Sequence, residues 1–254
     1  MKSIKILVVT IALMAMACGP AMATPSGTVW TPMTLDIQSF KVLHIGIDNY
    51  FTVAKKAISG EQGAFATDLG LTTGILPFEK IQMEAGVDGF YPTDYPYVFN
   101  AKIGAPEDAL FKYSPALQVG IYGVGTKKDL TDQNIIFGVI GKSIPEIGRI
   151  SAGPYLGNKK LLLDKNGEKE NSGFMVAFDR GFFPVKDSAN NEYNKVVIAA
   201  DYASGKNIVG GTGVGANYYF TKDVSLLIGG VFFNEKAING EWKLTTQLDI
   251  NLPF

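Results

Sequence analysis

The chain has a single histidine, and it is the first residue to weigh as a catalyst. His44 follows Ser39 by five residues and precedes Asp48 by four. A Ser–His pair with an acidic or amide orienter activates a weak hydroxyl nucleophile by taking its proton. In an extended strand, side chains alternate between faces, so His44 and Asp48 share one face and Ser39 lies on the other. No Gly-x-Ser-x-Gly elbow is present to expose a serine. His44 is therefore read as a member of a polar network, and the chain is expected not to be an enzyme. One His also excludes an HExxH or multi-His metal site. The run Gly210-Gly211-Thr212-Gly213-Val214-Gly215 superficially resembles a phosphate loop. It lacks the following Lys-Ser or Lys-Thr and lies inside a predicted strand instead of opening a helix. No cofactor and no metal is expected.

The elements that would carry these residues are best read backward from the chain end. In 243–254, Leu244, Thr246, Leu248, Ile250, Leu252 and Phe254 fall on one parity. Lys243, Thr245, Gln247, Asp249 and Asn251 fall on the other. One face is apolar and the other wet. The terminal Phe254, with Leu252, Ile250 and Leu248 at two, four and six positions before it, resembles the assembly signal of Gram-negative outer-membrane β-barrel proteins. The resemblance implies a porin-like transmembrane barrel, outer-membrane lipid around it and the barrel-assembly machinery as a partner.

The N-terminus reads as an export signal. Lys2 and Lys5 precede an apolar stretch, Ile6 to Ala17, and Ala21-Met22-Ala23 fits a small-x-small cleavage site, so residues 1–23 are expected to be removed. Cys18, the only cysteine, lies in this leader, and Ala15-Met16-Ala17 before it is a poor lipobox. The mature chain would hold no cysteine, which excludes disulfides and thiolate metal sites. Subtracting Lys2 and Lys5 from 23 basic residues against 24 acidic ones leaves a charge of −3. That balance gives no expectation of nucleic-acid binding.

The remaining 24–254 read as one domain of alternating strands of about ten residues separated by turns. Candidates are 34–51, 64–75, 79–90, 96–104, 116–125, 134–143, 149–158, 172–180, 195–203, 208–220, 223–234 and 242–254. This predicts an all-β fold: a single antiparallel transmembrane barrel of about twelve strands, within a range of about 10–14. Both faces carry apolar residues in 134–143, 195–203 and 223–234, so parity there is ambiguous. An even count puts both termini on the periplasmic side. The connections 105–115 and 181–194 are long for that side, and suggest short helices or a miscounted strand. A soluble β-sandwich is the alternative fold. Tyr50, Phe51, Phe90, Tyr91, Tyr218, Tyr219, Phe220, Phe232 and Phe233 stand at strand ends, where interfacial girdles would lie.

Inward positions predicted from parity are His44, Asp48, Lys80, Gln82, Glu84, Asp88, Asn100, Lys102, Gln118, Arg149, Asp179, Asp201, Lys243, Gln247 and Asp249. Eight-stranded barrels are filled by side chains and sixteen-stranded ones hold a channel, so about twelve strands lie between the two cases. Glycines 211, 213 and 215 suggest some open lumen along one wall. No loop reads as long enough to fold inside, so any constriction is expected from wall residues. Mixed charge predicts weak selectivity. The expected role is a narrow porin-like path for passive diffusion of small hydrophilic solutes. The alternatives are a non-conducting structural or adhesion barrel and, third, an outer-membrane hydrolase using His44.

Overall fold

The computed structural model describes residues 26–53 and 64–254. The leader, its cleavage site and most of the connection 52–63 lie outside the described residues. Twelve strands follow one another around a closed antiparallel barrel. They are β1 (Val42–Phe51), β2 (Thr67–Gly74), β3 (Gln82–Tyr91), β4 (Tyr97–Ala105), β5 (Ala116–Gly125) and β6 (Ile135–Ile144). The second half comprises β7 (Gly148–Leu156), β8 (Ser172–Lys186), β9 (Glu192–Ala203), β10 (Gly211–Thr221), β11 (Val224–Phe233) and β12 (Trp242–Pro253). A single helical turn, α1 (Lys236–Asn239), interrupts the connection before β12, with Glu235 accepting the Ala237 N–H at its start.

The last strand closes the wall. β12 pairs with β1 from Val42↔Pro253 to Phe51↔Leu244, and with β11 on its other edge. Closure leaves no free sheet edge, which is the condition for strands to stand in hydrocarbon. It also rules out the sandwich. Alternation then sorts the residues. Leu117, Val119, Ile136, Ile140, Ile150, Phe174, Ile198 and Ile228 are large apolar side chains exposed on the outer surface. On the same strands Ala116, Gln118, Phe137, Ser151, Met175, Ala199 and Leu227 are buried inside. An apolar band of this extent around a whole molecule is the surface of a lipid-facing barrel, not of a soluble domain.

Several expected boundaries change. The first strand begins at Val42, not at 34, because the chain before it turns into the lumen. The stretch 181–194 contains neither a helix nor a miscounted strand. β8 and β9 stay paired from Arg180↔Ile198 to Lys186↔Glu192, and run on as a two-stranded hairpin past Tyr218↔Val196, the last pair of the β9–β10 ladder. Asp187 closes its turn by accepting the N–H groups of Ala189 and Asn191, both at 2.9 Å. The aromatic girdle is half of what strand-end position suggests. Phe51, Tyr91, Tyr218, Phe220 and Phe232 face outward, whereas Tyr50, Phe90 and Phe233 are buried inside and Tyr219 lines a cavity. Adjacent residues on a strand cannot share a face, so each pair had to split.

Candidate functional site in the barrel lumen

The lumen is occupied by the chain's own N-terminal segment, residues 26–41. The expectation that constriction comes only from wall residues is corrected here. The plug is not a loop between strands but the stretch ahead of β1. It crosses the lumen from Ser26 to Trp30, turns, and descends through Met33 and Leu35 to the start of β1. Val29, Trp30, Met33 and Ile37 are buried.

Wall residues predicted as a wet lumen hold this segment. Asp201 on β9 is the principal anchor. Its Oδ2 accepts the backbone N–H groups of Val29 at 3.0 Å, Trp30 at 2.8 Å and Thr31 at 2.7 Å, together with the Thr31 hydroxyl. Its Oδ1 accepts the Gly213 N–H at 3.1 Å. A carboxylate gathering three consecutive N–H groups fixes a turn that has no strand to pair with. Gly213 makes room for it. A Cβ there would overlap the Asp201 carboxylate and stand 2.9 Å from Val29 Cβ. The glycine wall therefore provides space, as its composition implied, but the plug fills that space. At Gly141 a Cβ would run into Leu35 in the same way.

Glu84 and Lys102, both fully buried, face each other on β3 and β4 at 3.7 Å. Glu84 accepts the Ser26 N–H and hydroxyl at 2.8 and 2.7 Å, and the Gln38 N–H. Lys102 Nζ donates to the Ser26 carbonyl at 2.9 Å. Gln118 donates to Leu35 O at 2.6 Å, Gln247 to Val29 O at 2.7 Å, and the Ser151 hydroxyl to Met33 O. Arg149 grips both Asp36 oxygens, at 2.7 and 2.8 Å, while its Nε donates to Asp179 at 2.7 Å.

The end of the barrel away from the termini is packed mainly with apolar side chains. Trp30 Nε1 donates to Val209 O at 2.7 Å, and its ring meets Tyr50, Phe65 and Phe233 at 5.3 to 6.3 Å. Phe90, Tyr122, Ile135, Phe137, Tyr155 and Met175 continue this apolar cluster. Lys243, placed at this end, is buried, donates to Thr52 Oγ1 at 2.9 Å and lies over the Phe65 ring.

A polar cavity of about 230 Å³ remains beside the plug, reaching from His44 and Asn251 near the termini up to Tyr50 and Trp30. Asp36, Asp48, Asp68, Asp88 and Asp249 line it, with His44 as the one basic side chain on its wall among the described residues. His44 Nδ1 faces Asn251 Oδ1 at 3.1 Å and Nε2 faces Asp249 at 3.4 Å. Asn251 Oδ1 also accepts from Gln38. Both ring nitrogens of His44 thus face an oxygen of β12, which ties the imidazole into the polar network of the wall. Asn100 Nδ2 donates to Asp88.

Two predicted inward residues stand elsewhere. Lys80 is exposed in the connection 75–81, outside the wall, because the β3 ladder begins only at Gln82↔Gly104. Gln82 itself is half-buried at the rim. Sequence reasoning missed Asp68, Ser151 and the whole inner segment. Asp68 had a readable signal: Asp68, Gly70 and Thr72 alternate with Leu69 and Leu71.

Fold and lumen together define the class: a transmembrane-type, twelve-stranded antiparallel β-barrel with its N-terminal segment inside. No protein-family model and no curated protein matches the sequence. Among solved structures, the chain is similar to an outer membrane channel from Pseudomonas putida F1, at 10% identity and a TM-score of 0.42, covering 83% of this chain and 94% of that one. It is similar to the NanC porin at 6% identity and a TM-score of 0.48, covering 83% and 100%. It is also similar to the outer membrane phospholipase A of Escherichia coli, at 11% identity and a TM-score of 0.40, covering 90% and 98%. These likenesses are of barrel architecture alone and say nothing of what this barrel passes or binds.

Proposed function

We propose that the protein is an outer-membrane channel for small polar solutes, held closed at rest by residues 26–41. The outer location is supported by the lipid-type band around the closed barrel. The tight connections, such as 222–223 and 145–147, lie at the end that holds the C-terminus, as periplasmic turns do. The observation that carries the gate is the chemistry of the plug's seat. Beyond its continuity with β1, the segment is fixed to the wall by hydrogen bonds and ion pairs from Asp201, Glu84, Lys102, Gln118, Arg149 and Gln247. Polar contacts can be exchanged for water, so the seat is separable in a way a fused apolar core is not.

A second reading has its own observation. The apolar cluster around Trp30 draws on wall residues from most strands, and a dry constriction blocks ions by dewetting. On that reading the barrel is a permanently closed structural element. Planar-bilayer recording separates the two. The intact protein should show rare or no conductance steps. A variant lacking residues 26–38 should give stable steps while keeping the heat-modifiable gel mobility of a folded barrel. A folded deletion variant that stays silent at high protein load refutes the channel and leaves the structural reading.

A further inference from the structure

The cavity left beside the plug is lined by five aspartates and a single histidine. Of its five carboxylates, Asp36 is gripped by Arg149 and Asp249 faces His44. Among the described residues no cation stands within ion-pair distance of Asp48, Asp68 or Asp88. These three are close neighbours. Asp48 and Asp68 are direct cross-strand partners on β1 and β2. Asp88 leans over Gly70, two residues along β2, where a Cβ would stand 2.7 Å from its Oδ1. Like charges directly opposite each other on a sheet destabilise it.

An independent observation points to a missing donor. Asp68 is 5% exposed, and its Oδ1 is buried with no hydrogen-bond partner. Buried carboxylate oxygens are rarely left so, and an orphan of this kind needs an explanation. Nor is the set shaped for a bare metal ion: among the described residues no group of three or more His, Cys, Asp or Glu is placed to hold one directly. A group with one positive charge and three diverging donors meets three carboxylates better, and a primary ammonium is that group. The 230 Å³ of space would hold about seven waters, or a short alkyl chain carrying the ammonium.

We propose that the cavity beside Asp48, Asp68 and Asp88 binds the primary ammonium group of a small organic amine. This names the solute class for the channel of the preceding section, and it rests on that reading only for passage, not for binding. The test is equilibrium titration of the full-length detergent-solubilised barrel with 1,4-diaminobutane, followed by calorimetry, with magnesium chloride and tetramethylammonium chloride in parallel. Saturable binding of the diamine at one site is expected. Tetramethylammonium, which has the charge but no N–H donors, should bind at least about tenfold more weakly, since a charge-assisted hydrogen bond carries that factor. Asp68→Asn and Asp48→Asn should each weaken the diamine by a similar factor while leaving gel mobility and thermal unfolding intact, because each removes repulsion from the folded state. Absence of saturable diamine binding, equal binding of tetramethylammonium, tighter binding of magnesium, or indifference to both substitutions would overturn the proposal. Binding in a barrel that never conducts would uphold the site and sink the channel.

Discussion

Asp201 shows how one side chain can decide the state of the lumen. It satisfies three backbone N–H groups of a segment that has no ladder of its own. Asp201→Ala leaves those donors buried and unpaired, at about 1–3 kcal/mol for each that water cannot reach. The segment should therefore leave its seat before the wall unfolds. The two tryptophans make this visible. Trp30 is buried within the lumen, whereas Trp242 lies half-buried at the β12 end, stacked on the outward Phe232. In a Trp242→Phe background, Asp201→Ala should shift Trp30 emission to the red and raise its quenching by acrylamide. Unchanged emission would mean that Asp201 is not the anchor. The Glu84–Lys102 pair obeys a different rule. Removing one buried partner strands the other's charge, at about 3–5 kcal/mol, while replacing both is far milder. Glu84→Gln and Lys102→Met should each lower the urea midpoint of unfolding, and the double variant should recover most of the loss. Additive losses would contradict a coupled pair.

The strands were legible because each solves its own problem locally. The row Met83, Ala85 and Val87 against Glu84, Gly86 and Asp88 declares a lipid face and an inner face without reference to any other strand. The register of β12 on β1 follows from the same alternation, since a one-residue slip of β12 would turn Gln247 and Asp249 into the lipid. Consequences of that placement can be measured. Val119 lies near the middle of β5 and faces outward, so Val119→Arg should cost about 2–4 kcal/mol in lipid vesicles. Phe254 is 74% exposed, and its backbone N–H donates to Lys41 O. Phe254→Ala should change the stability of the folded barrel by no more than about 0.5 kcal/mol yet reduce the fraction assembled in cells. A large loss of folded stability, or undiminished assembly, would show that the terminal ring acts otherwise. What remained illegible was residues 26–41. That segment has no period, because its polar partners are side chains scattered over six different strands. Parity marked Glu84, Lys102, Gln118, Asp201 and Gln247 as inward but could not tell a wet wall from a polar seat. Both need the same residues at the same spacing.

At the scale of the whole molecule, the lumen is divided along its axis. The end away from the termini is closed by aromatic packing around Trp30, and the acidic cavity extends from that packing toward the termini. Entry of the segment is therefore possible from one end only, since 26–41 is continuous with the start of β1. This asymmetry gives a directional test of the gate. A barrel lacking residues 26–38 retains every wall anchor, including the Asp201 carboxylate and the Glu84–Lys102 pair. A synthetic peptide of residues 26–40 should reoccupy that seat and block the current of the deletion variant. Block should be stronger on addition to the chamber facing the termini, the side at which residues 26–41 join β1 in the intact chain. An Asp201→Ala change in the deletion variant should weaken the block by at least about tenfold, through faster release, because the anchored turn is lost while the route of entry is not. Block of equal strength from both chambers would mean that the segment recognises the pore mouth and not the seat that Asp201 provides. The gate would then have to lie elsewhere in the barrel.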